Sequence, residues 1–158
     1  MEEINSILKQ SKIVNVLVSM AVVQEDKYLL VEEAKESVKG LWNFPAGKVK
    51  LNEDLIIAAK RETLEETGYE CEITDLLSIH YFYWDDMPGL TIRFNFWGRP
   101  VGDQGMDLAD DVSCAKWFNI SEIEKLKADN MLRSKTTIHQ FEEIKKNNKY
   151  PLDVIIKP

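Results

Sequence analysis

Residues 47–69 read GKVKLNEDLIIAAKRETLEETGY, and their order predicts a loop feeding an acidic helix. Asn52 is the predicted N-cap, Glu53 and Asp54 put negative charge in the first turn, and Gly68 stands where a helix stops. The helix is therefore predicted over residues 53–67. On it Glu62, Glu65 and Glu66 fall at i, i+3 and i+4, which gathers three carboxylates within an arc of about 100°. Like charges at this spacing repel, each pair by roughly a few tenths of a kcal/mol, so cations should compensate. Arg61, four residues before Glu65, can neutralise one carboxylate with its planar fork. The others remain free to bind a hard divalent ion, Mg²⁺ with Mn²⁺ as a substitute, rather than a soft one.

Outward from this helix, the chain of 158 residues, 44% hydrophobic and 30% charged, is long enough for one compact domain with a real core. One domain over residues 1–158 is expected. No apolar run is long enough to span a bilayer, and MEEINSILKQSK at the start lacks the features of a signal peptide, so no membrane partner and a cytoplasmic location are expected. A net charge of −7 argues against a broad nucleic-acid surface and leaves a small phosphorylated molecule as the partner. Cys71 and Cys114 are too few for a disulfide framework and read as reduced, buried thiols. Oligomeric state is not readable.

Residues 2–10 could form a short leading helix with Ile4, Ile7 and Leu8 on one side. Apolar, β-branched residues 13–23 and the run Tyr28 to Val31, separated by the polar turn QEDK, predict a hairpin whose first strand is covered on both faces. Trp42 and Phe44 anchor the next loop, and Gly47 permits close backbone approach. After the acidic helix, Ile73, Leu77, Ile79, Tyr81 and Tyr83 are expected on one strand face. In the following strand Leu90, Ile92, Phe94 and Phe96 alternate with Thr91, Arg93 and Asn95. Arg93 reads either as a phosphate contact or as a surface arginine. A loop over residues 101–111, a strand over residues 113–118, a short helix opened by a Ser121/Glu124 capping box and a last helix over residues 134–147 complete the chain.

Gly47, Glu53, Arg61, Glu62, Glu65, Glu66 and Gly68 together resemble the Nudix box, the signature of hydrolases of nucleoside diphosphates linked to another moiety. All seven fixed positions match. Tyr69 meets the final hydrophobic position loosely, and Thr63 departs from the usual aliphatic residue after Arg-Glu. The resemblance implies an α/β fold, an α/β/α sandwich with a mixed, mostly antiparallel sheet. It also implies Mg²⁺ on Glu62, Glu65 and Glu66, with the Gly47 carbonyl and Asp111, six residues before Trp117, adding oxygens. Asp107 and Asp110 stand in the same loop. The proton-accepting carboxylate is Glu66 or Glu62, Arg61 supports the cluster, and Glu53 orients loop and helix.

The stretches KYLLVEE, LWNFPAG, MLRS and YPL extend the likeness to the bacterial NudJ-type phosphatases. That branch implies nucleoside di- and triphosphates or thiamine-type pyrophosphates as substrates and gives Arg133 a phosphate-binding role. His80 and Trp84 read either as borders of a base or ring pocket or as packing residues. Two alternatives stay open: a pyrophosphatase of oxidised nucleotides or ADP-ribose in the same superfamily, and a non-catalytic nucleotide-binding regulatory module.

Overall fold

The computed structural model describes residues 13–83, 89–105 and 107–157. The expected leading helix and Trp84 lie outside them. Strand β1 (Val14–Gln24) turns through Glu25 and Asp26, both at positive φ, into β2 (Lys27–Glu33). That left-handed pair gives the turn the twist a tight hairpin needs. Short strands β3 (Trp42–Asn43) and β4 (Ala46–Lys48) lead to helix α1 (Leu55–Thr67). The long pair β5 (Cys71–Tyr83) and β6 (Leu90–Pro100) follows, then β7 (Val112–Phe118), α2 (Ile120–Ala128) and α3 (Lys135–Lys146).

The sheet is mixed and mostly antiparallel. β1 pairs parallel with β6 and antiparallel with β4, and β5 closes the far side against β6. β2 carries β3 and β7, both antiparallel, and is joined to β1 through Val23–Gln24. Alternation along β1 explains the layers. Val18, Met20 and Val22 pack with Ala58 and Ala59 of α1, whereas Ala21 packs with Trp97 and with Ile123, Phe141 and Ile144 of α2 and α3. The first strand is thus covered on both faces, as its apolar run predicts, and the architecture is the expected α/β/α sandwich.

Several local expectations need correction. The N-cap of α1 is Asp54, whose Oδ1 accepts from Ile56 N–H at 2.9 Å, while Asn52 sits at φ 64° in the preceding turn. A polar residue two positions later captured the orphan donors. Gly68 does end the helix in the left-handed region, at φ 73°. At α2 the reciprocal cap is Asn119 with Glu122, not Ser121 with Glu124. Cys71 is buried, but Cys114 is only half-buried and its thiol faces Glu32.

β5 does not keep one apolar face. Register shifts between Ile73 and Asp75 and between Leu76 and Ser78 put Leu76 with Ile73 in the α1-side core and turn Leu77 into the opposite core. Ile79, Tyr81 and Tyr83 are 53%, 78% and 68% exposed. On β6 it is the polar face, Thr91, Arg93 and Asn95, that is fully buried.

Candidate active site

The acidic helix is clamped to its preceding loop through Arg61. Its Nε and Nη2 donate to the two oxygens of Glu53 at 2.6 and 2.8 Å, and Nη2 also donates to the Lys48 carbonyl at 3.1 Å. Nη1 donates to Glu62 Oε1 at 2.6 Å and to Glu65 Oε2 at 3.2 Å. One guanidinium therefore answers three carboxylates, Glu53, Glu62 and Glu65, and offsets part of the repulsion among them. Glu53 also accepts from Lys50 N–H at 2.9 Å, so it is bonded to the loop as well as to Arg61 of the helix. Hydrogen bonds from Arg61, then from Lys50 N–H, hold the Glu53 carboxyl down to about 2. The same contacts raise the Arg61 pKa further, chiefly through Glu53.

Glu66 is in a different environment. Its Oε2 accepts from Ala46 N–H at 2.9 Å, and burial pushes its carboxyl up to about 8 against that bond, with the charges of Glu62, Glu33 and Asp111 adding to the shift. Glu62 is raised as well, by burial first, with the Arg61 bond opposing. Gly47 explains why helix and loop can lie so close: a Cβ there would stand 2.0 Å from Glu62 Cδ.

A cleft of about 400 Å³ opens over these groups, lined by residues of β1, β2, β3, β4 and β6 as well as of α1. Glu62, Glu66, Gly47, Arg93, Asp111 and Arg133 all line it, bringing together residues from five separate segments. Asp111 is held by Lys35 Nζ at 2.9 Å. Arg133 Nε is 2.8 Å from Glu33 Oε1 but off the donor axis, so the contact is ionic rather than a formed hydrogen bond. Glu33 and Asn43, 3.4 Å apart across a hydrogen bond, also line the cleft. Sequence reading missed both, as it missed Lys35; the signal for Glu33 was a charge at the inward-facing end of an apolar strand.

Arg93 is not a surface arginine. It is 4% exposed, and its Nη1 and Nη2 donate to Thr136 Oγ1 at 3.2 Å and Gln140 Oε1 at 2.7 Å, while Nε has no partner. Among the described residues no carboxylate lies within ion-pair distance of it. Burial, with Arg133 adding, lowers its pKa to about 10, which leaves it charged at neutral pH. Other expected residues stand apart: Glu65 and Glu53 do not line the cleft, and His80 lines a second hollow.

The donor set fits a hard divalent cation in kind: four cleft-lining carboxylates, Glu33, Glu62, Glu66 and Asp111, with Glu65 beside them and a glycine leaving the backbone open. Among the described residues no three acidic, imidazole or thiol groups already converge on one point, because Glu62 and Glu65 are turned toward Arg61. Also among the described residues, no helix is long and apolar enough to cross a membrane.

Comparison with known proteins accords with this geometry. Residues 14–141 match the model of the NUDIX domain. Phosphatase NudJ of Escherichia coli is 34% identical over 143 residues, which cover 89% of this chain and 90% of that protein. Putative nudix hydrolase 1 of Caenorhabditis elegans is 32% identical over 120 residues; they cover 75% of this chain but 31% of that protein, so the chain matches under a third of its length. A solved NUDIX hydrolase from Nitrosomonas europaea superposes with a TM-score of 0.83 at 33% identity, covering 92% of this chain and 98% of that one. A bifunctional NMN adenylyltransferase/ADP ribose pyrophosphatase from Francisella tularensis has a TM-score of 0.63 at 23% identity, covering 93% and 46%, a likeness of fold alone.

Proposed function

The chain belongs to the NUDIX domain family and is one of its hydrolases, and we propose that it cleaves phosphoanhydride bonds of nucleoside di- or triphosphates or of thiamine-type pyrophosphates, with Mg²⁺ as its metal and Mn²⁺ as a substitute. The observation that carries the reading is Arg93, a buried guanidinium without a carboxylate partner in the wall of a cleft that also holds Glu62 and Glu66. A buried, unpaired charge costs several kcal/mol, on the order of 3–5 when a partner has been removed. A substrate phosphate offers the missing anion. The phosphatase named NudJ, matched over nearly its full length, supports the phosphatase branch of the family.

In this reading Glu62, Glu65 and Glu66, with the Gly47 carbonyl and Asp111, would hold the cation. When bound, the ion withdraws charge from phosphate oxygens and acidifies water. Arg93 and Arg133 bind the phosphates from the opposite wall. Glu66 or Glu62 accepts the proton of the attacking water. Arg61 and Glu53 act through Glu62 by fixing its rotamer. The residues 1–158 act as a single domain, with a cytoplasmic setting as the expected one.

The test is a Mg²⁺-dependent product assay over ADP, ATP, thiamine pyrophosphate, ADP-ribose and oxidised dGTP. Release of phosphate from diphosphates is expected. Release of AMP from ADP-ribose, or pyrophosphate from oxidised dGTP, as the dominant reaction would overturn the phosphatase reading. Glu66→Gln should lower turnover at least about a hundredfold, roughly 2.7 kcal/mol of transition-state stabilisation, with the fold intact by circular dichroism. Near-normal turnover would remove Glu66 from the mechanism.

A further inference from the structure

Arg93 and Arg133 both line the cleft but are held in opposite ways. Beside Arg133 the chain places a carboxylate, Glu33 Oε1, 2.8 Å from Nε. Beside Arg93 it places neutral acceptors. Strand register brings them together: Ser19 of β1 pairs with Asn95 of β6, so Ser19 shares a sheet face with Arg93, two residues before Asn95. That face meets α3, where Thr136 and Gln140, at i and i+4, lie on one side of the helix. Nη1 of Arg93 donates to Thr136 Oγ1 and Nη2 to Gln140 Oε1, the second at 2.7 Å. Ser19 Oγ donates to the same Oε1 at 3.0 Å. A guanidinium only donates, so the Gln140 amide has one orientation open to it, oxygen toward Arg93. Among the described residues the carboxylate whose charge Arg93 senses is Glu66, which forms no ion pair with it.

This arrangement leaves two buried groups uncompensated, the guanidinium charge and the Gln140 amide nitrogen. Gln140 is fully buried, and its Nε2 has no hydrogen-bond partner among the described residues. Glutamate has the same shape as glutamine. At position 140 it would keep both accepted bonds, give the buried guanidinium a counter-ion and remove the orphan amide hydrogens, so stability alone favours it. It would also neutralise Arg93. A charge-assisted pair formed inside the protein must be broken or shared before the cation can serve a phosphate.

We infer that Gln140 is a positioning residue, which fixes Arg93 through a neutral acceptor and so keeps its charge for a substrate phosphate in the cleft. The inference rests on the hydrolase reading for the anion that Arg93 meets. It gives α3 a part in setting affinity through a residue that does not itself line the cleft.

Two variants separate this role from a merely structural one. Gln140→Glu keeps shape and acceptor but adds the counter-charge, whereas Gln140→Met keeps neutrality and approximate volume but removes the acceptor. The quantities measured are KM and kcat for ADP with Mg²⁺, the dissociation constant of methylenediphosphonate, a non-hydrolysable diphosphate, by calorimetry, and the thermal midpoint. For Gln140→Glu the expected result is a KM and a methylenediphosphonate constant at least about tenfold higher, with kcat changed by less than KM and the midpoint held or raised; tenfold corresponds to about 1.4 kcal/mol. Gln140→Met should weaken both by less than Gln140→Glu does. If Gln140 only held Arg93 in place, the order would be reversed, with Gln140→Glu near wild type and Gln140→Met worse. That order, or equal values in all three proteins, would overturn the inference. Should Gln140→Glu melt lower or fail to fold, Thr136→Asp decides in its place. It sets a carboxylate beside Nη1 in the first turn of α3, where negative charge suits the helix, and unchanged methylenediphosphonate affinity there would overturn the inference too. Absence of wild-type turnover on every substrate would sink the hydrolase reading alone. Methylenediphosphonate would still read Arg93, and equal affinity in the wild type and Gln140→Glu, or no binding by the wild type, would overturn the inference.

Discussion

Replacing Gly47 by alanine adds one methyl group at the point where loop and acidic helix are closest. That Cβ would stand 2.0 Å from Glu62 Cδ and 2.2 and 2.5 Å from its two oxygens. Ordinary contact begins near 3.4 Å, so the carboxylate must retreat by the difference, about 1.4 Å. It is not free to drift, since Arg61 Nη1 holds it at 2.6 Å and Glu53 holds Arg61 through two bonds. The cheapest escape is rotation of the Glu62 side chain away from the cleft, which breaks the Arg61 contact and removes one carboxylate from its working position. Misplacement of about 1 Å at a reacting centre costs roughly a hundredfold, so kcat/KM should fall by about that factor, near 2.7 kcal/mol. The backbone need not move, and stability should change by less than about 1 kcal/mol. The assay is steady-state phosphate release from ADP with Mg²⁺, beside a thermal melt. A double-mutant cycle isolates the cause: with Glu62→Ala already in place there is no carboxylate to displace, and Gly47→Ala should then cost less than about threefold. Retention of more than about a third of wild-type activity, or an equal loss on both backgrounds, would refute the steric reasoning.

Two further outcomes follow from the charges. Arg93→Met removes a buried cation that no described carboxylate neutralises, so the thermal midpoint should hold or rise while KM for ADP increases at least about tenfold; an unchanged KM with a lower midpoint would make Arg93 a structural residue only. Glu53, held down to about 2 against an ordinary 4.5, contributes stability that is fully present above pH 4.5 and lost as pH falls through 2. Glu53→Gln should therefore be less stable than wild type at neutral pH, and the gap should close between pH 4.5 and 2 in urea unfolding. Parallel curves over that window would contradict the assignment.

Much of the local chemistry was legible because it is carried by one helix. Spacing alone gathers Glu62, Glu65 and Glu66, and Arg61 does bridge to Glu65 four residues on. The stronger partner of Arg61 is Glu53, eight residues back, and that required the geometry of the loop. The opposite wall was harder. Arg93 and Arg133 come from a strand and a connector that only the sheet brings together, and the burial of Arg93 depends on Thr136 and Gln140 of α3, more than 40 residues away in sequence. Alternation named the Thr91–Arg93–Asn95 face correctly but left Arg93 open between a phosphate contact and a surface arginine, because alternation along one strand does not say which face another layer covers. Two cap positions failed by two residues each, where Asn, Asp and Ser compete for the same orphan donors.

The irregular pairing of β5 has a consequence for how such a chain could diversify. With both bulges in place, Ser78, His80 and Phe82 stand opposite Asn95, Arg93 and Thr91, the face that Arg93 turns toward α3, and Ile79, Tyr81 and Tyr83 are largely exposed. Loss of a single residue at either bulge would invert that parity and exchange imidazole and phenyl for isoleucine and two phenols. The acidic helix, anchored on the other layer, would keep its composition. A one-codon deletion would thus recast the surface turned toward α3 while the groups proposed for bond cleavage stay the same, a change that point substitutions reach only in several steps.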